Sequence, residues 1–141
     1  MKIMALDVGR SRIGVALSDP DQVLALPHST LERTSSNQDI TTLLDMAIDN
    51  HVQEIVVGLP LSLSGSIGPQ AREVNYFVRD LSSVADVPIT TLDERYSTVE
   101  AERLLRQTGK SPSENRSDVD SIAATIILQT YLDSKKFTLG E

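Results

Sequence analysis

Four acidic side chains stand where the chain can put them to chemical use. Asp7 closes the apolar run Ile3-Met4-Ala5-Leu6, Asp93 and Glu94 follow the run Ile89 to Leu92, and Asp120 lies within the segment DVDSIAATIILQTYLD. An ionised carboxylate at the end of a buried strand is costly unless something positive meets it. Clustered carboxylates repel one another unless a cation sits between them. Hard oxygen ligands favour Mg²⁺ or Mn²⁺. Two such ions about 4 Å apart can activate a water and stabilise the leaving oxygen in phosphodiester cleavage. The residue types therefore point to a metal-dependent phosphodiesterase. The plain alternative is that each acid is a solvated strand end, with Asp120 a favourable charge at a helix N-terminus. Their joint placement at one end of a sheet argues against that alternative.

The elements that must position these acids can be read in order. Lys2 to Asp19 reads as a strand, a turn at Gly9 to Arg12, and a returning strand in which Ile13, Val15 and Leu17 alternate. Val23 to Arg33 reads as a third strand, and Pro27 makes it an edge strand because proline cannot donate to a ladder. Ile40, Leu43, Leu44, Ala47 and Ile48 have amphipathic-helix spacing, ending near His51. Glu54 to Gly58 is a strand with the continuous apolar centre of burial on both faces. After a loop from Leu59 to Gly68, Pro69 suits a first helical position, and Ala71, Val74, Phe77, Val78 and Leu81 mark a second helix.

Ile89 to Leu92 is a further strand. Ser97 and Glu100 have capping-box spacing and open a helix that stops at Gly109, followed by a polar loop from Lys110 to Ser117. A last helix is expected from about Asp118 to Asp133, with Val119, Ile122, Ala123, Ile126 and Ile127 inward and a frayed tail from Ser134. Asp120 shares a helical face with Ala123, Ala124, Ile127 and Tyr131, which would carry its carboxylate toward the sheet. Two hairpin-linked pairs followed by crossovers through helices predict a mixed five-stranded α/β sheet, three strands antiparallel and the later ones parallel, with helices on both faces.

Composition narrows the reading without deciding it. The 141 residues form one expected domain, residues 1–141. Zero cysteines exclude disulfides, thiolate metal sites and a cysteine nucleophile. No apolar run is long enough for a membrane span and no signal peptide opens the chain, so a cytoplasmic location is the default expectation. A net charge of −7 counts against a nucleic-acid binder held by overall charge and leaves room for a local basic strip. Arg10, Arg12 and Arg95 sit beside the acids in sequence and could hold phosphates; local charge balance is the competing reading. His28 and His51 have no partner spacing for a metal, and Met4 and Met46 read as core.

The segments DVGRSRIGVALSD, VVGLPLSLSGSIGPQA, TLDERYST and DVDSIAATIILQTYLD, in that order, together resemble the YqgF family. These are small ribonuclease H-like proteins described as Holliday junction resolvases and as pre-16S rRNA nucleases. The resemblance implies a ribonuclease H-like fold and a metal-bound acidic triad of Asp7, Glu94 and Asp120, with Mg²⁺ or Mn²⁺ as cofactor. It breaks the tie between Asp93 and Glu94, which strand alternation would send to opposite faces. It implies processing of the 5′ end of pre-16S ribosomal RNA, with partners among structured RNA, branched DNA and ribosomal precursor particles. The alternatives are a Holliday junction resolvase acting on DNA and a non-catalytic nucleic-acid- or ribosome-binding module. A nucleotide-dependent phosphotransferase is a weaker reading, since actin-like kinases also begin with a strand, a DxG turn and a returning strand. Two departures from the family pattern bear on substrate rather than on the triad. Ser62, Leu63 and Ser64 replace an NMDGS-like loop, and Lys110 to Asp118 carries only Lys110 and Arg116 where lysines are common. Asp118 is a rival ligand.

Overall fold

The computed structural model describes residues 1–61, 64–94 and 116–139, with the backbone alone at 116–118 and 136–139. In chain order the elements are β1 (Lys2–Val8), β2 (Arg12–Ser18), β3 (Ala25–Glu32), α1 (Ser36–Asp49), β4 (Val52–Leu59), α2 (Pro69–Val84), β5 (Ile89–Asp93) and α3 (Arg116–Leu139). The strands form one sheet in the order β3-β2-β1-β4-β5. β2 pairs antiparallel with both β1 and β3, while β4 pairs parallel with β1 and β5. This is the mixed sheet that the hairpins and crossovers predict.

β1 is central because its apolar run leaves no polar face. Ile3, Met4, Ala5 and Leu6 are all fully buried. Alternation divides them: Met4, Leu6 and Val8 pack with Leu43 of α1 and with Phe77 and Leu81 of α2, whereas Ile3 and Ala5 pack with Ala124 and Leu128 of α3. Asp7 falls in the second set, so its side chain belongs to the α3 face. Each large side chain buried in these layers contributes about 1.5–3 kcal/mol.

The termini of the elements show what the sequence pattern left open. Ser35 caps α1 by accepting from the Gln38 N–H, and the helix closes through Asn50 and a left-handed His51 at φ 55°. His51 is thus a turn residue. β3 is shorter than expected, because the Asp19 carboxylate accepts from the N–H groups of Val23 and Leu24 and folds them into a turn. In β3 the register steps from Ser29 to Pro27, so His28 is the extra residue of a bulge on the edge strand.

α3 corrects the expected boundaries and inward face. It begins at Arg116 and continues to Leu139 rather than fraying at Ser134. Its later turns are held from outside: Lys135 reaches Glu54 at 3.6 Å and lies over the Tyr131 ring. Glu54, 8% exposed, also accepts from the hydroxyls of Thr90 and Tyr131, tying β4, β5 and α3 together. Ile126 and Ile127 are buried as expected, but Ser121, Ala124 and Leu128 take the inward positions expected of Ile122 and Ala123, which are half-buried. Where the first turns of α3 lie against the sheet, the small Ser121 and Ala124 are the buried residues. The expected helix from Ser97 to Gly109 lies outside the described residues. No helix among the described residues is long and apolar enough to cross a membrane.

Candidate active site

The site is built around Asp7 at the carboxyl end of the central strand. Two glycines flank it within the sheet. Gly14 is its antiparallel partner on β2. On the other side Leu6 pairs with Val57 of β4, which puts Gly58 level with Asp7. Neither glycine adopts a backbone reserved for glycine; both are needed for room. A Cβ on Gly14 would lie 2.0 Å from the backbone oxygen of Asp120. A Cβ on Gly58 would lie 2.5 Å from both Glu94 Oε1 and Ile127 Cδ1. The missing side chains let the first turns of α3 settle on β2 and let Glu94 cross β4 from the end of β5. Adjacent strands stand about 4.8 Å apart, so without Gly58 the β4 side chain would block that path.

The α3 face then gathers three acids from three elements. Glu94 hydrogen-bonds Asp7, and Asp120 is close enough to act on Asp7 electrostatically. Burial pushes the Asp7 carboxyl up, the bond from Glu94 offsets part of that, and the Asp120 charge adds to it. Glu94 is pushed up to about 8, first by burial and then by Asp7 and Asp93. The directions agree on one arrangement, in which Glu94 keeps its proton and donates it to ionised Asp7. Asp120 is met differently: Arg12 Nε donates to its Oδ2 at 2.6 Å, and both side chains are about three-quarters covered at 27% and 24% exposure.

Asp93 and Glu94 separate by alternation. Leu92 packs in the α3-side cluster, which leaves the following Asp93 toward the other face and returns Glu94 to the side of Asp7. Asp118 lies in α3, but its side chain is outside the described residues. So is Arg95.

The two described arginines of the β1–β2 turn part company. Arg12 joins the carboxylates. Arg10 turns to the opposite face and reaches Glu73 of α2 at 3.3 Å, an exposed contact beside a cavity of about 350 Å³ between that turn and α2. The turn itself is tight because a Gly9 Cβ would stand 2.9 Å from the Arg12 oxygen. It is clamped by Arg33, a residue that sequence reasoning passed over. Arg33 donates to the Gly9 carbonyl at 2.9 Å, pairs with buried Asp39 at 2.9 Å and lies over the Phe77 ring. Nothing in the local sequence distinguished it from a strand-end arginine. Gly58 did carry a signal, since a glycine inside a buried apolar strand marks close approach of something else.

The donor set fits a hard divalent cation. It consists of carboxylate oxygens, two of them close enough to share a proton. Among the described residues no three such side chains are already closed around one point, and Asp120 is held by Arg12 instead.

The family model described as "RuvX: Holliday junction resolvase" matches residues 1–134. The chain belongs to the RuvX family. It is 45% identical over 135 residues to the "Putative pre-16S rRNA nuclease" of Roseiflexus sp. (strain RS-1), covering 96% of each protein. It is 43% identical over 136 residues to the protein of the same name from Desulforudis audaxviator, again covering 96% of each. Among solved structures, T. thermophilus RuvC in complex with Holliday junction substrate matches with a TM-score of 0.62 at 13% identity, over 98% of this chain and 97% of that one. The Fowlpox virus resolvase matches with a TM-score of 0.59 at 9% identity, over 96% and 99%. At such identities the likeness is one of fold. It bears out the ribonuclease H-like architecture, and the RuvX relatives bear out the expectation of a nuclease.

Proposed function

We propose that this RuvX chain cleaves phosphodiester bonds in structured RNA, at the 5′ side of a ribosomal RNA precursor, using Mg²⁺ or Mn²⁺ held by Asp7, Glu94 and Asp120. The observation that carries the reading is the convergence of three acids from β1, the end of β5 and α3 over two glycines. The names of the relatives support ribosomal RNA as the substrate.

When bound, the ion supplies an activated water and a counter-charge for the departing oxygen. The protein's own groups do the rest. Asp7, fixed on the central strand, is the common member of the set. Glu94 must give up the proton it shares with Asp7 before both can serve as ligands. Arg12, at the lip of the cluster, is within the site to hold a phosphate of the substrate strand. Arg10, on the α2 side of the turn, would take a more distant phosphate, and Arg95 follows directly on Glu94 in sequence.

The second reading is cleavage of a four-way DNA junction. It is favoured by the description of the family model and by the shared fold of junction resolvases. It requires two active sites and therefore two copies of the chain. A cleavage assay on a 5′-extended 16S precursor and a four-way junction, side by side with Mn²⁺ and with chelator, separates the two. Ion-dependent cutting of the precursor alone is expected. Cutting of the junction alone, in symmetric pairs, transfers the assignment to the second reading.

A further inference from the structure

Arg12 and Asp120 lie 108 residues apart in sequence and meet at 2.6 Å. The freedom of the two partners is unequal. Asp120 is pinned by its backbone, which rests on Gly14 with no room for a single added carbon. Arg12 sits at the first position of β2, on a long side chain, with Glu32 of β3 directly across the ladder as another acid. The carboxylate therefore stays while the guanidinium can leave. A guanidinium also takes a phosphate in two-pronged fashion, and the side-on fork that includes Nε forms only once Nε leaves Asp120 Oδ2.

We propose that Arg12 competes with the divalent ion for Asp120, and that a phosphate of the nucleic acid releases it, so that substrate and ion bind cooperatively. This rests on the carboxylate-ion reading above. Before substrate arrives, the guanidinium neutralises Asp120 and lowers the pull of the cluster on a cation. Once a backbone phosphate takes the guanidinium, Asp120 is returned to the cluster as a free anion beside Asp7. Coupling of this kind is reciprocal: an ion that claims Asp120 releases Arg12 for phosphate. The arrangement keeps the ion weakly held until a substrate strand lies across the β1–β2 turn.

The test is Mn²⁺ titration of the full chain by calorimetry, alone and with a saturating short phosphorothioate RNA duplex. Arg12→Gln is expected to bind Mn²⁺ about tenfold more tightly than wild type without RNA, within the usual range of coupling between sites. Adding the duplex should tighten wild type by a similar factor and leave Arg12→Gln within about twofold. Arg12→Lys, which keeps the charge, should stay near wild type, and thermal melting checks that all variants fold. Arg10→Gln removes the same charge on the other face and should leave Mn²⁺ affinity unchanged. Equal tightening in Arg10→Gln would reduce the effect to net charge and overturn the proposal, as would an Arg12→Gln affinity no better than wild type. Asp7→Asn and Asp120→Asn report separately on the underlying reading. If they bind Mn²⁺ as well as wild type, the ion site itself is wrong. If they lose binding while Arg12→Gln changes nothing, only the competition fails.

Discussion

The proton shared by Asp7 and Glu94 makes the site sensitive to pH in a direction that can be worked out. Glu94 titrates ordinarily near 4.5 and is pushed up to about 8 in the folded chain. Between those values the folded protein binds more protons than the unfolded one, so raising the pH across this window lowers stability. The contribution is complete below about 4.5 and is lost as the pH rises through about 8. Denaturant midpoints measured from pH 5 to 8.5 in chelator should fall accordingly, and Glu94→Gln, which keeps a donor to Asp7 without the charge, should flatten the profile. A divalent ion must displace the same proton. Its binding should release about one proton at pH 7 and strengthen up to about pH 8, which calorimetry in two buffers of different ionisation heat detects. Asp7→Asn, Glu94→Gln and Asp120→Asn should each cost at least about a hundredfold in cleavage, since even outer-shell changes at metal sites cost up to that much. The acids themselves were legible because each ends an apolar run or opens an apolar helix face. The choice of Glu94 over Asp93 was not legible from the residues alone, because strand phase is fixed only by what Leu92 packs against.

What the sheet contributes is proximity, and two glycines set it. Gly14→Ala forces α3 away from β2, because the atom met is backbone at 2.0 Å. A loss of about 3 kcal/mol is expected, at the upper end of overpacking costs, read as a lowered melting temperature together with lost activity. Gly58→Ala meets two side-chain ends, which can move, so about 1–2 kcal/mol is expected with activity falling more than stability. Arg33 and Asp39 clamp the β1–β2 turn and the start of α1. Burial works to raise the Asp39 carboxyl, but Thr34 and Arg33 outweigh it and hold it below its usual value. Asp39→Ala leaves Arg33 half-enclosed without its partner and should cost about 3 kcal/mol. The mixed five-stranded sheet, the helices on both of its faces and the end of α1 near His51 follow from periodicity and turn residues. The length of α3 does not, since its last turns depend on Lys135 reaching Glu54 across the fold. The same holds for β3, whose start is set by the Asp19 side chain rather than by hydrophobic alternation.

For the molecule as a whole, a net charge of −7 means that nucleic acid must be held locally rather than by a general field. Arg10 and Arg12, two residues apart in the turn, point to opposite faces, and the proposed function has them take phosphates of a strand over the carboxyl end of the sheet. Binding should weaken with salt, and Arg12→Gln should reduce the log–log slope by about one. The convergence of Asp7, Glu94 and Asp120 on a divalent ion is tested most directly by cleavage of a 5′-extended 16S precursor. Purified wild type would be compared with Asp7→Asn, each with Mn²⁺ and with chelator. Wild type with Mn²⁺ should cut, and the chelated and substituted samples should not. Equal cutting by wild type and Asp7→Asn would contradict the account.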